Sequence, residues 1–454
     1  MENYGREVEA FDWFSNLPDL IIYHIMSFLP PNDSTRVSFL SKKLGSVCRS
    51  YPILDFDQLL YDNGLSRSKE KLKAPLALVL RFMQKSLKCM YDKGLSQGSP
   101  LLFLDFMQKS LERVESNLCI VKFKLCIKDN NEVESDKRIA KSIKFAIEHN
   151  VKELVLKFGE VWRYHPFYSL PKSITLKSIV VLKLQGFDFK FEDLIPNLTL
   201  VEDLTLKDCM VSSNFTISSA KLKTLKLGHC RGLENIAIDA FNLQSFRTSS
   251  FGEPLKNIVI DAFNLQSLEM RLNSSCEINL VHCKSLKNLI LHNATITDDW
   301  IEKLVSELLL LENLKLSSCG FLKEIKICNQ HLKCFHLISC NKLVKAEIEA
   351  PNLISFVYSG YLSTFFPEIN FLSSSPTHAT AYFHTTKWFM NLKNFLVVFG
   401  HCKMLWLISP DQLPNKTAEA EEDDSDFQWP SSWRHYQKSD KLTNLKVMMS
   451  KRPC

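Results

Sequence analysis

No long apolar run occurs in these 454 residues. The densest patch, Leu308 to Leu311, is far shorter than the roughly 20 residues a membrane-spanning helix needs, so no such span is expected. The first ten residues are polar and acidic, with no basic-then-apolar leader, which argues against secretion. Cysteine is present, at 14 positions, but never as a Cys-x-x-Cys pair. That spacing argues against a zinc site, and the scatter reads as free thiols in a reducing compartment. A nucleotide-binding loop and an obvious nucleophile–base pair are also missing, so no catalytic residue, metal or cofactor is expected. A strong excess of one charge is lacking too. The net charge is +6, and it is uneven, because Glu419, Glu421, Glu422, Asp423, Asp424 and Asp426 form an acidic run. Without those six the remainder stands at about +12, a mildly basic body that charge alone does not make a nucleic-acid binder.

What is present begins with two short amphipathic segments. Pro18 suits a first helical turn, with Asn16 or Leu17 at the entry. Leu17, Ile21, Ile25, Phe28 and Leu29 then share one helical face, and Pro30-Pro31 ends the helix. Asn32 or Asp33 can cap a second helix carrying Val37, Leu40, Leu44 and Val47 on one side. Two helices this short cannot bury both apolar faces on each other, so a partner surface or the rest of the chain is required. By periodicity alone they fit an N-terminal cap on a larger domain equally well.

The second signal is self-similarity. Ile238-Asp-Ala-Phe-Asn-Leu-Gln-Ser245 returns as Ile260-Asp-Ala-Phe-Asn-Leu-Gln-Ser267, 22 residues on, and loosely as Ile348-Glu-Ala-Pro-Asn-Leu-Ile-Ser355. Around these runs the pattern Leu-x-x-Leu-x-Leu-x-x-Cys/Asn, as in Leu222-Leu225-Leu227-Cys230 and Leu311-Leu314-Leu316-Cys319. Its middle apolar position gives the markers Leu154, Leu182, Leu204, Leu225, Phe246, Leu268, Leu289, Leu314, Phe335 and Phe356. Most steps are 21 or 22 residues, within the roughly 20–29 of a leucine-rich repeat with one strand per unit. The 25-residue step from Leu289 to Leu314 contains Trp300, Ile301, Leu304, Val305 and Leu308 on one helical face, so that unit is expected to carry a helix. The tighter units show a second alternation, Ile236-Ala-Ile238, Ile258-Val-Ile260 and Ile325-Lys-Ile327, which predicts a short strand on the convex side. Ten stacked strands would make an inner wall roughly 45 Å long. Its solvent-facing positions include Lys183, Asp203, Lys207, Lys226, Arg247, Glu269, Arg271, Asn288, His292, Lys315 and His336. Their basic lean fits an acidic ligand, and it equally fits an ordinary solvated face. Cys209, Cys230, Cys319 and Cys340 hold one repeat position, where a small side chain turns inward to bond the backbone of the turn.

Between the helices and the repeats, Tyr61-Asp-Asn-Gly-Leu-Ser66 recurs as Tyr91-Asp-Lys-Gly-Leu-Ser96, and Phe82-Met-Gln-Lys-Ser-Leu87 recurs as Phe106-Met-Gln-Lys-Ser-Leu111. This is either a tandem insertion that lengthens the arm or a flaw in the sequence itself. Asn117 to Ile127 reads as a strand, and Ser135 can cap a helix carrying Ile139, Ile143 and Ile147, together an N-terminal cap on the array.

The opening segment, with Thr35-Arg-Val-Ser-Phe-Leu-Ser-Lys-Lys-Leu44 and Leu54-Asp-Phe-Asp57, resembles an F-box. Glu148-His-Asn-Val-Lys-Glu-Leu154 and Ile348-Glu-Ala-Pro-Asn-Leu353 are similar to plant F-box/leucine-rich-repeat proteins, with an FBD-like C-terminal region. The resemblance implies an α/β fold, a short helical F-box followed by a leucine-rich-repeat solenoid with a parallel-strand inner face. Its parts are an F-box (10–57), a helical linker with the duplication (58–116), the repeat array (117–360), a closing unit (361–409) and an acidic tail (410–454).

The family implies a non-catalytic ubiquitin-ligase subunit in the nucleus or cytoplasm. The F-box would bind a Skp-type adaptor, and through it a cullin, by Leu17, Pro18, Ile21, Ile25, Leu29, Pro30, Val37, Leu40 and Leu44. The repeats would bind a protein substrate, with Lys183, Lys207, Lys226, Arg247, Arg271, Lys315 and His336 as candidates and no nucleic acid or membrane as partner. Leu44 stands where the family usually carries a tryptophan; its smaller volume and missing indole donor imply a weaker adaptor contact. Two other readings stay open, a free-standing repeat scaffold with a weakened F-box and a co-receptor for an anionic small molecule held by Lys226, Arg247 and Arg271.

Overall fold

The computed structural model describes residues 17–27, 40–67, 100–128, 133–159, 168–169, 176–189, 198–250, 254–272, 275–360, 367–373, 376–383, 404–408 and 446–448. The chain forms two compact units, Met1–Ser212 and Ser213–Cys454.

The first unit opens with two helices, Asp19–Ser27 and Lys42–Arg49. Ser41, not Asn32 or Asp33, caps the second described helix: its Oγ accepts from the Leu44 amide at 3.2 Å, which satisfies one of the orphan donors of the first turn. Asn32, Asp33 and Pro30-Pro31 lie outside the described residues. A five-strand parallel ladder follows, formed by Ile53–Asp57, Lys122–Ile127, Glu153–Phe158, Val181–Gln185 and Asp203–Lys207. Leu54, Phe123, Leu154, Leu182 and Leu204 share one register across it. The ladder therefore starts two strands before the first sequence marker, and Leu54-Asp-Phe-Asp57 is its edge strand.

Helices Pro100–Leu111 and Val133–Glu148 supply the layer behind these strands. The second copy of the duplicated motif, Phe106 to Leu111, is helical, and Phe106 lies 5.1 Å from Tyr61 ring to ring. The copies at Phe82 and Tyr91 fall outside the described residues. The Val133–Glu148 helix begins two residues before Ser135, so that serine is inside it rather than at its cap. Ile139, Ile143 and Ala146 are fully buried, as an i, i+4, i+7 stripe should be.

In the second unit ten parallel strands pair in chain order. They are Thr224–Gly228, Ser245–Ser249, Ser267–Arg271, Asn288–His292, Asn313–Ser317, Cys334–Ile338, Ser355–Gly360, His378–Phe383, Met404–Ile408 and Lys446–Met448. Leu225, Phe246, Leu268, Leu289, Leu314, Phe335 and Phe356 stand in register. Burial alternates along these strands because each Leu-x-Leu pair points inward and the residue between faces solvent.

The expected second strands are present. Asn214–Ser218, Asn235–Asp239, Asn257–Asp261 and Glu277–Val281 form one parallel sheet, and Glu324–Cys328, Lys345–Glu349 and Glu368–Phe371 another. The long step holds the helix Asp298–Glu307, with Thr297 as N-cap and Ile301, Leu304 and Val305 buried. The closing unit is described only in part, as strands His378–Phe383 and Met404–Ile408, and the acidic run from Glu419 to Asp426 lies outside the described residues.

Candidate functional site

The sequence-expected site residues lie in two kinds of region, the helix pair of the first unit and the solvent-facing strand positions within each unit. In the first, Ile22, Met26, Leu44, Val47 and Tyr51 form a closed core, with Leu17, Tyr23, Cys48 and Ile53 packed against it. The Tyr23 hydroxyl bonds Ser50 Oγ at 2.8 Å and lies 3.1 Å from the Ser50 carbonyl oxygen, to which it can donate. Lys43 Nζ donates to the Leu17 carbonyl at 2.8 Å. These contacts fasten the helices to each other at both ends.

The helix Asp19–Ser27 carries two apolar stripes. Ile22 and Met26 face inward. Pro18, Leu20 and Ile21 face solvent, and Ile25 is half-buried. Leu20 is 77% exposed, Ile21 46% and, just before the second helix, Leu40 69%. Of the expected adaptor contacts, Pro18, Ile21 and Leu40 are thus on the surface, Leu17 and Ile25 are partly covered, and Leu29, Pro30 and Val37 lie outside the described residues. Leu44 is a correction. It is 1% exposed in the centre of the helix pair, so its side chain belongs to the core and presents nothing outward. The smaller volume of leucine is felt inside the module rather than on its surface. The sequence does not single out Leu20, because Leu20-Ile21-Ile22 is continuously apolar and periodicity alone does not say which stripe faces in.

A packing prediction follows. Leu44→Ala is expected to destabilise the first unit by about 2–5 kcal/mol, and Leu44→Trp to cost about 1–3 kcal/mol by overpacking. Amide exchange in Lys42–Arg49, followed with increasing urea, measures both. Little change in exchange for Leu44→Ala would contradict the core assignment.

The second region is the solvent-facing side of the parallel strands. In the first unit, where Lys183 and Lys207 lie, it is charge-balanced. Lys122 and Lys183 approach Glu153 at 3.0 and 3.9 Å, and Lys124 approaches Asp55 at 3.3 Å and Asp57 at 3.4 Å. Burial pushes the Asp55 carboxyl above its ordinary pKa, against the pull of Lys124.

In the second unit the outward strand positions are rich in cations. Between Thr224 and Ile338 the outward positions of the six pairing strands hold Lys226, Arg247, Arg271 and Lys315 and the carboxylate of Glu269. Register sets Lys226 beside Arg247, Arg247 beside Glu269, Ile290 beside Lys315, and Lys315 beside His336. Glu269 bridges the two guanidinium groups, at 2.7 Å to Arg247 and 4.0 Å to Arg271. Burial, together with the nearby Arg271, holds the Lys315 amine below its ordinary value, against the opposing pull of Glu269. Burial and then Lys315 push His336 down to about 4. Burial, Lys315, Arg271 and Arg247 do the same to His292. Both imidazoles are therefore neutral at pH 7 and serve as hydrogen-bonding groups, not charges. Ile290 and Val357 also occupy outward positions, where an apolar side chain is not distinguishable in the sequence from a core residue.

The repeat cysteines act as turn thiols. Each donates to backbone carbonyls, Cys209 to Lys207 at 3.2 Å, Cys319 to Ser317 at 3.6 Å and Cys340 to Leu316 at 3.7 Å, and Cys230 to Gly228 at 3.7 Å. The preceding residue is left-handed at every one of these turns, with φ of 49° at Asp208, 51° at His229, 56° at Ser318 and 54° at Ser339. Cys283, on the second sheet's side and unnoticed in the sequence pattern, does the same with the Val281 carbonyl at 3.2 Å. Burial pushes the Cys209 thiol up to about 12. Among the described residues no helix is long and apolar enough to cross a membrane.

Comparison with known proteins agrees with this architecture. A family model for the F-box domain matches residues 14–56, and a model for the At1g61320/AtMIF1 LRR domain matches residues 265–419. The chain is 25% identical over 177 residues to the F-box/LRR-repeat protein At3g59190 of Arabidopsis thaliana, covering 39% of this chain and 37% of that protein. It is 25% identical over 268 residues to the F-box/LRR-repeat protein At3g58900 of the same plant, covering 52% of this chain and 72% of that protein. In two further comparisons of this kind the chain spans 43% and 44% of its relatives' lengths, so with the 37% above it spans under half of three of these relatives. With an N-terminal F-box segment and a parallel-strand repeat array in one polypeptide, the chain carries the two domains of the plant F-box/leucine-rich-repeat proteins to which it is similar.

Proposed function

We propose that this chain is the substrate-recognition subunit of a Skp–cullin–F-box type ubiquitin ligase. The observation that carries the reading is the outward apolar surface of Leu20, Ile21 and Leu40 on a helix pair whose own core is already closed by Ile22, Met26, Leu44, Val47 and Tyr51. The described residues leave this surface uncovered, and it suits a helical adaptor. The solvent-facing strands of the repeat array are the counterpart, a broad surface for a protein substrate. Ubiquitin transfer is assigned to the other subunits, and the chain works as a non-catalytic receptor in the nucleus or cytoplasm.

Affinity capture of the full chain with the proteasome blocked tests the reading. The expected result is co-purification of a Skp-type adaptor and a cullin, and the accumulation of ubiquitinated partners. Removing residues 1–51 should abolish the first and spare partner binding. The cut belongs before Ile53, because Ile53–Asp57 pairs with Lys122–Ile127 and Phe56 packs 6.0 Å from Phe123. Absence of the adaptor, with a stable partner unaffected by proteasome block, would instead identify a free-standing repeat scaffold.

A further inference from the structure

Two cysteines of the second unit hold one repeat position in neighbouring turns. Asn313–Ser317 pairs with Cys334–Ile338, Asn313 beside Cys334 and Ser317 beside Ile338. The same step of 21 residues carries Cys319 onto Cys340. The turns that hold them are bonded as well. The Ser318 amide donates to the Ile338 carbonyl at 2.7 Å, and Ser318 and Ser339 share a left-handed backbone, with φ of 56° and 54°. Both thiols are aimed alike. Cys319 Sγ donates to the carbonyls of Ser317 and Leu291, and Cys340 Sγ to those of Ile338 and Leu316, the same two positions one turn later. Equivalent atoms one strand step apart lie about 4.8 Å from each other, which is within the roughly 4.4–6.8 Å between the Cα atoms of a disulfide. Both side chains are buried, but Cys319 is at 0% and Cys340 at 7% exposure, so Cys340 is the one a small solute reaches. The two thiols also bond each other, and this contact holds Cys340 below the ordinary thiol pKa and Cys319 above it, burial adding to the rise at Cys319. The sulfur nearer solvent is thus the readier nucleophile.

From this stacking we infer that Cys319 and Cys340 are a reversible oxidation site, joined as a disulfide by a hydroperoxide, with Cys340 reacting first and Cys319 resolving it. In the first step the Cys340 sulfur attacks one peroxide oxygen. The O–O bond breaks, a sulfenic acid forms on Cys340, and the departing hydroxide takes the thiol proton and leaves as water. In the second step the Cys319 sulfur attacks the Cys340 sulfur, the S–O bond breaks, and the hydroxide released takes the Cys319 proton. Two thiols and one hydrogen peroxide give one disulfide and two waters. The bond ties two adjacent turns of the array and closes a loop of 22 residues. It forms in an otherwise reduced chain, as redox-sensing disulfides do, and it depends on neither the F-box nor the receptor reading.

The test is peptide mapping of the full, folded chain after hydrogen peroxide, with remaining thiols alkylated and no reductant added. Trypsin should release Leu316–Lys323 joined to Cys334–Lys342, lighter by two hydrogens than the two peptides together. Fragmentation should place the bond on Cys340, and Cys334→Ser should leave it unchanged. Dithiothreitol should restore both thiols. Amide exchange in Glu324–Cys328 and Cys334–Ile338, which lie inside the closed loop, should slow by about a hundredfold in the oxidised chain. Cys319→Ser should let the Cys340 sulfenic acid accumulate, where dimedone captures it, and Cys340→Ser should leave Cys319 unmodified. Cys319→Ala replaces the serine variant if serine lowers protection in Asn313–Ser317, because Ala294 fills this position one turn earlier. Both thiols still alkylated after peroxide, or a bond running through Cys328 or Cys334 instead, would overturn the inference. So would a sulfenic acid that persists on Cys340 in the unaltered chain, since Cys319 would then not resolve it. Dimedone on Cys319 in the Cys340→Ser chain would overturn the order of the two steps, and the inference with it.

Discussion

Replacing Leu20, Ile21 and Leu40 together with aspartate should reduce adaptor capture by at least about a hundredfold, while leaving the fold of the first unit intact. The size follows from what these side chains leave uncovered. Their exposures of 77%, 46% and 69% amount to about two whole apolar side chains. Covering that surface contributes on the order of 3–6 kcal/mol at about 1.5–3 kcal/mol per side chain, and about 1.4 kcal/mol is a tenfold change in affinity. Three carboxylates that must lose water on docking add to the loss. Stability is the separable readout. Leu20 and Ile21 lie in the first turn of Asp19–Ser27, where a negative side chain is favoured by the helix dipole. Exposed substitutions of this sort change stability by only about 0.5 kcal/mol. The matched control is Ile22→Ala, one position further on and fully buried, which should lower stability by about 2–5 kcal/mol through a cavity. Equal capture by the aspartate variant and the unaltered chain would remove the docking surface from consideration, whatever Ile22→Ala does.

This pairing of neighbours also marks where sequence reasoning reached its limit. The repeat register was legible because the markers have a forced geometry. Leu225, Phe246, Leu268, Leu289, Leu314, Phe335 and Phe356 recur at the period of one strand per turn, and a slip by one residue would turn each buried side chain to solvent. The second strands were legible for the same reason, since Ile236 and Ile238 alternate just as Ile258 and Ile260 do. Helix orientation was not legible at Leu20-Ile21-Ile22, where three consecutive apolar residues fit either stripe. Leu44 shows the same weakness, because a position that matches a family pattern does not reveal whether it faces a partner or its own core. The edge strand Ile53–Asp57 was hidden by its neighbourhood. It is only five residues long, it follows helices, and its partner strand lies 69 residues further along in register at Ile53 and Lys122. On the solvent-facing strands, the basic lean was visible residue by residue. The balance in the first unit was not, because Asp55 and Asp57, which approach Lys124, come from an edge strand that the sequence did not reveal.

Gly186→Ala should be among the most damaging single substitutions in the first unit, costing about 2–5 kcal/mol from two separable causes. Gly186 has φ of +79°, a left-handed conformation that costs an alanine roughly 1–2 kcal/mol. A Cβ there would also stand 2.2 Å from the Phe158 carbonyl oxygen and 3.0 Å from its carbon, which are backbone atoms of a neighbouring strand and cannot swing aside. Overpacking of that kind costs about a further 1–3 kcal/mol. Neither backbone group of Gly186 is idle. Its amide donates to the Lys207 carbonyl at 3.2 Å and its carbonyl accepts from the Tyr168 amide at 3.0 Å. A shift to relieve the clash would therefore pull on two neighbouring segments and on the stacked rings of Phe158 and Tyr168, 5.0 Å apart. Equivalent turns carry Asp208, Ser318 and Ser339 at φ of 49°, 56° and 54°, near the centre of the left-handed region that short polar side chains tolerate. The contrast identifies close approach, rather than the turn itself, as the reason glycine is needed at 186. Gly320→Ala is the internal control, with nothing within 4 Å of the added Cβ, and should be near neutral. Amide exchange resolves the two units and so measures each substitution where it acts. Protection should collapse in Glu153–Phe158 and Val181–Gln185 for Gly186→Ala and stay unchanged in Asn313–Ser317. Full protection of the first two strands in that variant would show that the backbone around Phe158 yields far more easily than its packing implies.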